Sequence, residues 1–229
     1  MGQFLRLFTA AILILSAGHV FAQSANTVYI DQVGSSSTIN VDQTGANNTA
    51  GNETTAMIFK GNSQLVTIAQ IGSNNITTIN VQGGGAVVTN NVTGSFNQTT
   101  INCGAAPTTA CTDTTISANA TGDTNIMSVT AGAKSTATAS VTGDSNTVTI
   151  DSNTSNILGA RSSVTTTGGN GNAITVSQSG PGGSVGFDAM IDITGASNTI
   201  GVTQTGTVDS KVSIKSVGSI NNITVHSGN

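Results

Sequence analysis

One repeat constrains this chain more than any other feature. Glycine, two variable residues and asparagine recur at Gly45/Asn48, Gly72/Asn75, Gly94/Asn97, Gly122/Asn125, Gly143/Asn146, Gly169/Asn172, Gly195/Asn198 and Gly218/Asn221. Successive glycines lie 21 to 28 residues apart, a period typical of stacked repeat architectures. Apolar residues follow each asparagine at the second and fourth positions, as in Val148/Ile150, Ile174/Val176, Ile200/Val202 and Ile223/Val225. Alternation by two sets them on one face of a strand, whereas a helix needs spacings of three and four. A second set of glycines (Gly61, Gly83, Gly104, Gly132, Gly180 and Gly206) falls near the middle of most units. Glycine supplies the positive φ that tight turns need, so each unit reads strand, turn, strand, turn. The expected fold is all-β: a β-solenoid of stacked strand–turn–strand repeats with about 8–9 rungs, roughly 40 Å tall at the usual strand spacing.

A single strand–turn–strand arch cannot bury its own apolar face. Stacked on its neighbour at about 4.8 Å, it pairs every backbone group and continues the core. Identical polar residues then align in ladders, and the repeat asparagine, read as standing at the start of its turn, is placed to stack in this way. The uneven unit lengths predict insertions, with Thr49 to Met57 and Cys103 to Thr115 as the expected bulged loops.

Composition narrows the function classes. Charged residues are 7% of the chain, against about 25% in an average globular domain. Aromatics are 3% and tryptophan is absent, so a conventional core built on large rings is hard to assemble. Disorder is disfavoured, because the chain has only 2 prolines and is rich in Val, Ile and Thr. Nothing resembles a nucleic-acid footprint, which requires clustered Lys and Arg. At the N-terminus Arg6, the apolar run Leu7 to Ala17 and the small residues around Val20-Phe21-Ala22 read as a secretory signal peptide. The run is shorter than the roughly 18–20 residues of a spanning helix. The expected organisation is a signal peptide over 1–22, cleavage between Ala22 and Gln23, and one repeat domain over 23–229, secreted to the cell exterior.

Catalytic devices are poorly represented. His226 is the single imidazole after the expected cleavage, so a Ser-His-Asp arrangement is disfavoured. Asp188 and Asp192 would share one strand face, as paired carboxylates do in carbohydrate-cleaving solenoids. Without sugar-holding aromatic and basic residues they read as solvated acids that oppose lateral aggregation. Gly168 to Val176 lacks the aspartate of the calcium-binding nonapeptide and reads as a turn. Cys103 and Cys111 are too few ligands for a metal site and read as a disulfide that staples a turn-rich loop around Pro107. No enzyme activity, cofactor or metal is expected. The outward pairs Thr147/Thr149, Ala173/Thr175 and Thr199/Gly201 are too mixed for a regular ice-binding face.

Several units carry a more specific pattern. Asn26 to Gly34 (NTVYIDQVG) reads asparagine, five residues, glutamine, any residue, glycine. Ser37 to Gly45 (STINVDQTG), Asn172 to Gly180 (NAITVSQSG) and Asn198 to Gly206 (NTIGVTQTG) repeat it, and Gln64 to Gly72 (QLVTIAQIG) is a weaker copy. This resembles the curlin repeat of curli fibre subunits. The resemblance implies that Gln32, Gln43, Gln70, Gln178 and Gln204 are ladder glutamines and that Asn48, Asn75, Asn97, Asn146 and Asn198 are their asparagine counterparts. It further implies a secreted structural subunit of extracellular amyloid fibres that supports biofilm matrix and surface adhesion. The implied partners are copies of the chain itself or another curlin-like subunit, and the export and nucleation machinery of the outer membrane. Departures from the family pattern point to a divergent or minor subunit: Thr115 to Ile157 contains no glutamine, and Asn26 follows the expected cleavage site almost at once. The alternative reading is a monomeric β-solenoid surface adhesin.

Overall fold

The computed structural model describes residues 25–83, 86–103, 115–131, 136–152, 160–167, 170–179, 187–206 and 211–228. Strand and turn alternate throughout. The chain opens with β1 (Thr27–Val28), β2 (Ile30–Val33), β3 (Thr38–Ala46), β4 (Thr49–Ala50), β5 (Met57–Lys60) and β6 (Leu65–Ser73). It continues through β7 (Ile76–Gln82), β8 (Val87–Thr93), β9 (Gln98–Cys103), β10 (Thr115–Thr121), β11 (Ile126–Ala131), β12 (Thr136–Thr142) and β13 (Thr147–Ser152). It closes with β14 (Ala160–Thr167), β15 (Ala173–Ser179), β16 (Phe187–Thr194), β17 (Thr199–Thr205), β18 (Lys211–Val217) and β19 (Asn222–Gly228). All pairings are parallel and in register, and they form an 11-stranded and an 8-stranded sheet. The first sheet runs β1-β4-β7-β9-β11-β13-β15-β17-β19, with β2 and β5 as the second halves of its first two levels. The second runs from β3 to β18. The protein is therefore all-β, a parallel β-solenoid close to the expected 8–9 rungs. The expected signal peptide and its cleavage point at Ala22 and Gln23 lie outside the described residues.

Alternation by two fills the space between the sheets. Met127, Val129, Val148 and Ile150 face inward from the first sheet, and Ile116, Ala118, Ala120, Ala137 and Ala139 face inward from the second. Small alanines on one sheet complement longer side chains on the other, so the space between the sheets is filled without many large aromatics. The largest buried side chains, Phe59 and Met57, sit together at the second level.

That level is also the irregular one. Tyr29 N donates to Ala50 O, and Met57 N donates to Tyr29 O, so Gly51 to Ala56 loops out while β4 and β5 keep their places in the ladder. This is the excursion expected from Thr49 to Met57. The other expected loop, from Cys103 to Thr115, lies mostly outside the described residues.

The turns explain the glycine. Gly72 has φ +120° and Asn74 has φ +58°. A Cβ on Gly72 would collide with the carbonyl of Gly94 on the next level, so only glycine lets successive turns stack at strand spacing. The third position of the motif always lies in the left-handed region: Asn47, Asn74, Phe96, Thr124, Ser145, Ser197 and Ile220 have φ between 55° and 62°. From Asn74 onward their N–H groups bond to the level below, as from Thr124 N to Ser95 O at 2.9 Å. Asparagine suits this conformation and a β-branched residue does not. Ile220 is 82% exposed and loses no packing when replaced. Ile220→Asn is expected to stabilise the protein by about 1 kcal/mol, read as a higher urea midpoint. A lowered midpoint would contradict this account of the turn.

Candidate functional site: a buried amide ladder and two open ends

The repeat asparagine ends its turn rather than starting it, standing one residue before each first-sheet strand. There it is inside the protein: Asn48, Asn75, Asn97, Asn125, Asn146, Asn172 and Asn198 are all at most 1% exposed. Buried amides need partners, and each finds them on adjacent levels. Asn125 donates from its backbone N and its Nδ2 to Asn97 Oδ1, at 2.9 and 3.1 Å. Its Nδ2 also donates to Gly143 O at 2.8 Å, and its Oδ1 accepts from Asn146 N and Nδ2 at 3.0 and 3.1 Å. This saturates the side chain. The pattern runs unbroken from Asn26, whose Oδ1 accepts from Asn48 N, to Asn221, whose N and Nδ2 donate to Asn198 Oδ1.

Of the asparagines inferred by resemblance, Asn48, Asn75, Asn97, Asn146 and Asn198 all stand in this one column. Asn125, Asn172 and Asn221 belong to it equally. Their signal was present, because each closes a copy of the same motif; Asn26 had no glycine three residues earlier to mark it.

The glutamines divide. Gln43 Nε2 donates to Gln70 Oε1 at 2.6 Å on the second sheet, and Gln178 Nε2 donates to Gln204 Oε1 at 2.8 Å on the first sheet. These are two short ladders near opposite ends of the stack. Gln32 stands in register with Phe59, so no glutamine lies on it. At the level of Gln70 the core becomes polar: Thr77 Oγ1 accepts from Gln70 Nε2 at 3.1 Å and from Asn90 Nδ2 at 2.9 Å. A third, exposed series was not anticipated. At the second position of the turn, Asp144 Oδ1 accepts from Asp123 N, Asp123 Oδ1 from Ser95 N, and Asn170 Oδ1 from Asp144 N.

Cys103 ends β9 in register with Val81 and Ala131, fully buried in the core. It is disulfide-bonded; Cys111, its expected partner, lies outside the described residues. Reducing the bond is expected to lower stability by no more than about 2–3 kcal/mol and to leave the β-type circular dichroism spectrum in place. Loss of that spectrum on reduction would make the bond a folding requirement.

The end levels differ from the interior. Val28 and Ile30 stand in register with buried Ala50 and Met57, yet are 39% and 40% exposed. At the other end Ile223 and Val225 continue the columns of Ile200 and Val202 and are only partly buried. Among the described residues, the outer edges of β1, β2 and β3 and of β18 and β19 have no partner strand. Beside the first edge, Tyr29 Oη donates to Glu53 Oε1 at 3.2 Å, and this bond is the main cause that raises the phenol above its usual pKa, ahead of desolvation and the Glu53 charge. Asp192, one of the two carboxylates noted in the sequence, is engaged by Lys215 Nζ at 3.7 Å.

Among the described residues no cluster of three or more His, Cys, Asp and Glu could hold a metal, and no helix could cross a membrane. Fold and site together define a β-solenoid with an amide-laddered interior and, among the described residues, strand edges without a partner at both ends. No family model matches the chain, and comparison with curated proteins and with solved structures finds no match.

Asn125→Ala removes the acceptor of Asn146 N and Nδ2 and the donor to Gly143 O. At about 1–3 kcal/mol per orphaned buried group, the expected loss is about 3–5 kcal/mol in chemical denaturation. Asn221→Ala, at the last rung of the column, is expected to lose less than about 1 kcal/mol. Equal losses at the two positions would deny the ladder its buried character.

Proposed function

We propose that this protein is a secreted structural subunit that assembles end to end into extracellular β-fibres, contributing to matrix and surface adhesion rather than catalysing a reaction. The observation that carries this reading is the exposure of core columns at the ends: Val28 and Ile30 on one side, Ile223 and Val225 on the other, beside unpaired strand edges. Free edges of this kind template further strand pairing. A second copy can satisfy both the backbone groups and the apolar side chains of an end level. Support also comes from the signal-peptide pattern over 1–22 and the curlin-like spacing of Gln and Asn. The interior supports a scaffold role, since it is filled with Ile, Val, Ala and self-paired amides.

Protein beginning at Gln23 is expected to convert from monomer to thioflavin-positive filaments with a cross-β reflection near about 4.8 Å. Ile223→Lys with Val225→Lys should slow elongation at least tenfold, because charge would enter the terminal level of the core. Wild-type protein that stays monomeric for days at high concentration would turn the reading toward a single-molecule adhesin.

A further inference from the structure

Among the described residues the two sheets do not end together, and this determines how copies can join. The described first sheet is nine levels deep, from β1 to β19, and the second is eight deep, from β3 to β18. Each second-sheet strand lies between two first-sheet levels: Gln70 Nε2, on β6, donates to both Thr49 O and Asn75 O, on successive levels. At both ends of the described stack, therefore, the outermost strand belongs to the first sheet. If β3 of one copy were laid on β18 of another in the same direction, β1 would occupy the place already held by β19. Laying β1 and β2 on β19 raises no such clash, but it sets β3 two strand spacings from β18.

Resting on the fibre reading, we propose that copies of this chain join tail to head through the first sheet alone, β19 of one copy against β1 and β2 of the next, leaving a slot one strand wide in the second sheet at every junction. The columns match across that contact. Continuing the observed registers, Asn26 follows Asn221, Val28 follows Ile223 and Ile30 follows Val225. Charge matches as well. Asp31 lies in the column that ends at His226, and Asp42 in the column that ends at Lys215. The imidazole can donate an N–H to Asp31 in either charge state. Lys215 and Asp42, both exposed, would stand about 9.6 Å apart at their Cα atoms, twice the strand spacing, and a lysine side chain spans that gap. A two-fold junction with β19 of each copy against β18 of the other would close both sheets. However, it sets His226 against Lys211 and Lys215, and it breaks the one-way asparagine column.

Paired single-cysteine variants test the geometry in filaments of the full mature chain. Thr27 and Asn222 end one first-sheet column, and Thr38 and Lys211 end one second-sheet column. Disulfides form at Cα separations up to about 6.8 Å. Oxidised co-filaments of Thr27→Cys with Asn222→Cys are expected to yield covalent dimers in the majority of chains. Those of Thr38→Cys with Lys211→Cys should yield at least tenfold fewer. Cross-linking of the second pair to a similar extent, or absence of cross-linking in the first while filaments still form, overturns the junction and leaves the fibre reading standing. Failure of the wild type to form filaments removes the fibre reading and the junction with it. As a second measurement, Lys215→Asp should slow elongation about tenfold, and adding Asp42→Lys in the same chain should restore it. An unchanged rate in the single variant, or no restoration in the double, also counts against the junction.

Discussion

Leaving a buried amide unpaired costs free energy, and the repeat asparagines avoid that cost through a column of bonds that holds the solenoid in register. Each repeat asparagine is satisfied only if the asparagines above and below stand in the same place on their own levels. A slip of one residue on any strand would orphan a donor and an acceptor at two levels and turn the apolar face outward. The glycine at the start of the motif serves the same end, since it allows turns to approach closely enough for the amides to meet. The apolar columns supply cohesion but little specificity, because Val, Ile, Ala and Met interchange freely within them.

This division of labour explains what could be read from the sequence. Gly-x-x-Asn with period-two alternation determined the strands, the turns and the inward face, because both features are local consequences of the stacked geometry. The loop at Gly51 to Ala56 was visible as a unit too long for its neighbours. The glutamines were harder. On the first sheet their end-of-strand position accepts Val81 or Cys103 as readily as Gln178, and on the second sheet Val92 or Ala120 as readily as Gln70, so no local motif fixes an amide there. Both half-units can end in Gln-x-Gly, so the motif does not say which sheet a glutamine joins. Gln43 with Gln70 and Gln178 with Gln204 consequently fall on different sheets. Gln32 occupies the same kind of position above Phe59.

The polar patch around Thr77 and Asn90 was illegible for a related reason. Asn90 takes an inward position that Ile68 and Ala118 fill on either side. Its Nδ2 is accepted by Thr77 Oγ1 from the opposite sheet, an oxygen that also accepts from Gln70 on Asn90's own sheet, and this contact leaves no trace in the local pattern.

The direction of the asparagine column has an electrical consequence. In every asparagine–asparagine bond of the column the donor belongs to the later residue and the acceptor to the earlier one, from Asn48 on Asn26 to Asn221 on Asn198. The amide dipoles therefore add instead of cancelling, as peptide dipoles do along a helix, and each bond polarises the next. The N-terminal end of the stack carries the positive pole and the C-terminal end the negative. Asp31 and Asp42 occupy the outermost strands at the positive pole, and Lys211 and Lys215 the last second-sheet strand at the negative pole. The molecule is thus polarised along its stacking axis, and these charges lie at low energy in the field of its own amide column.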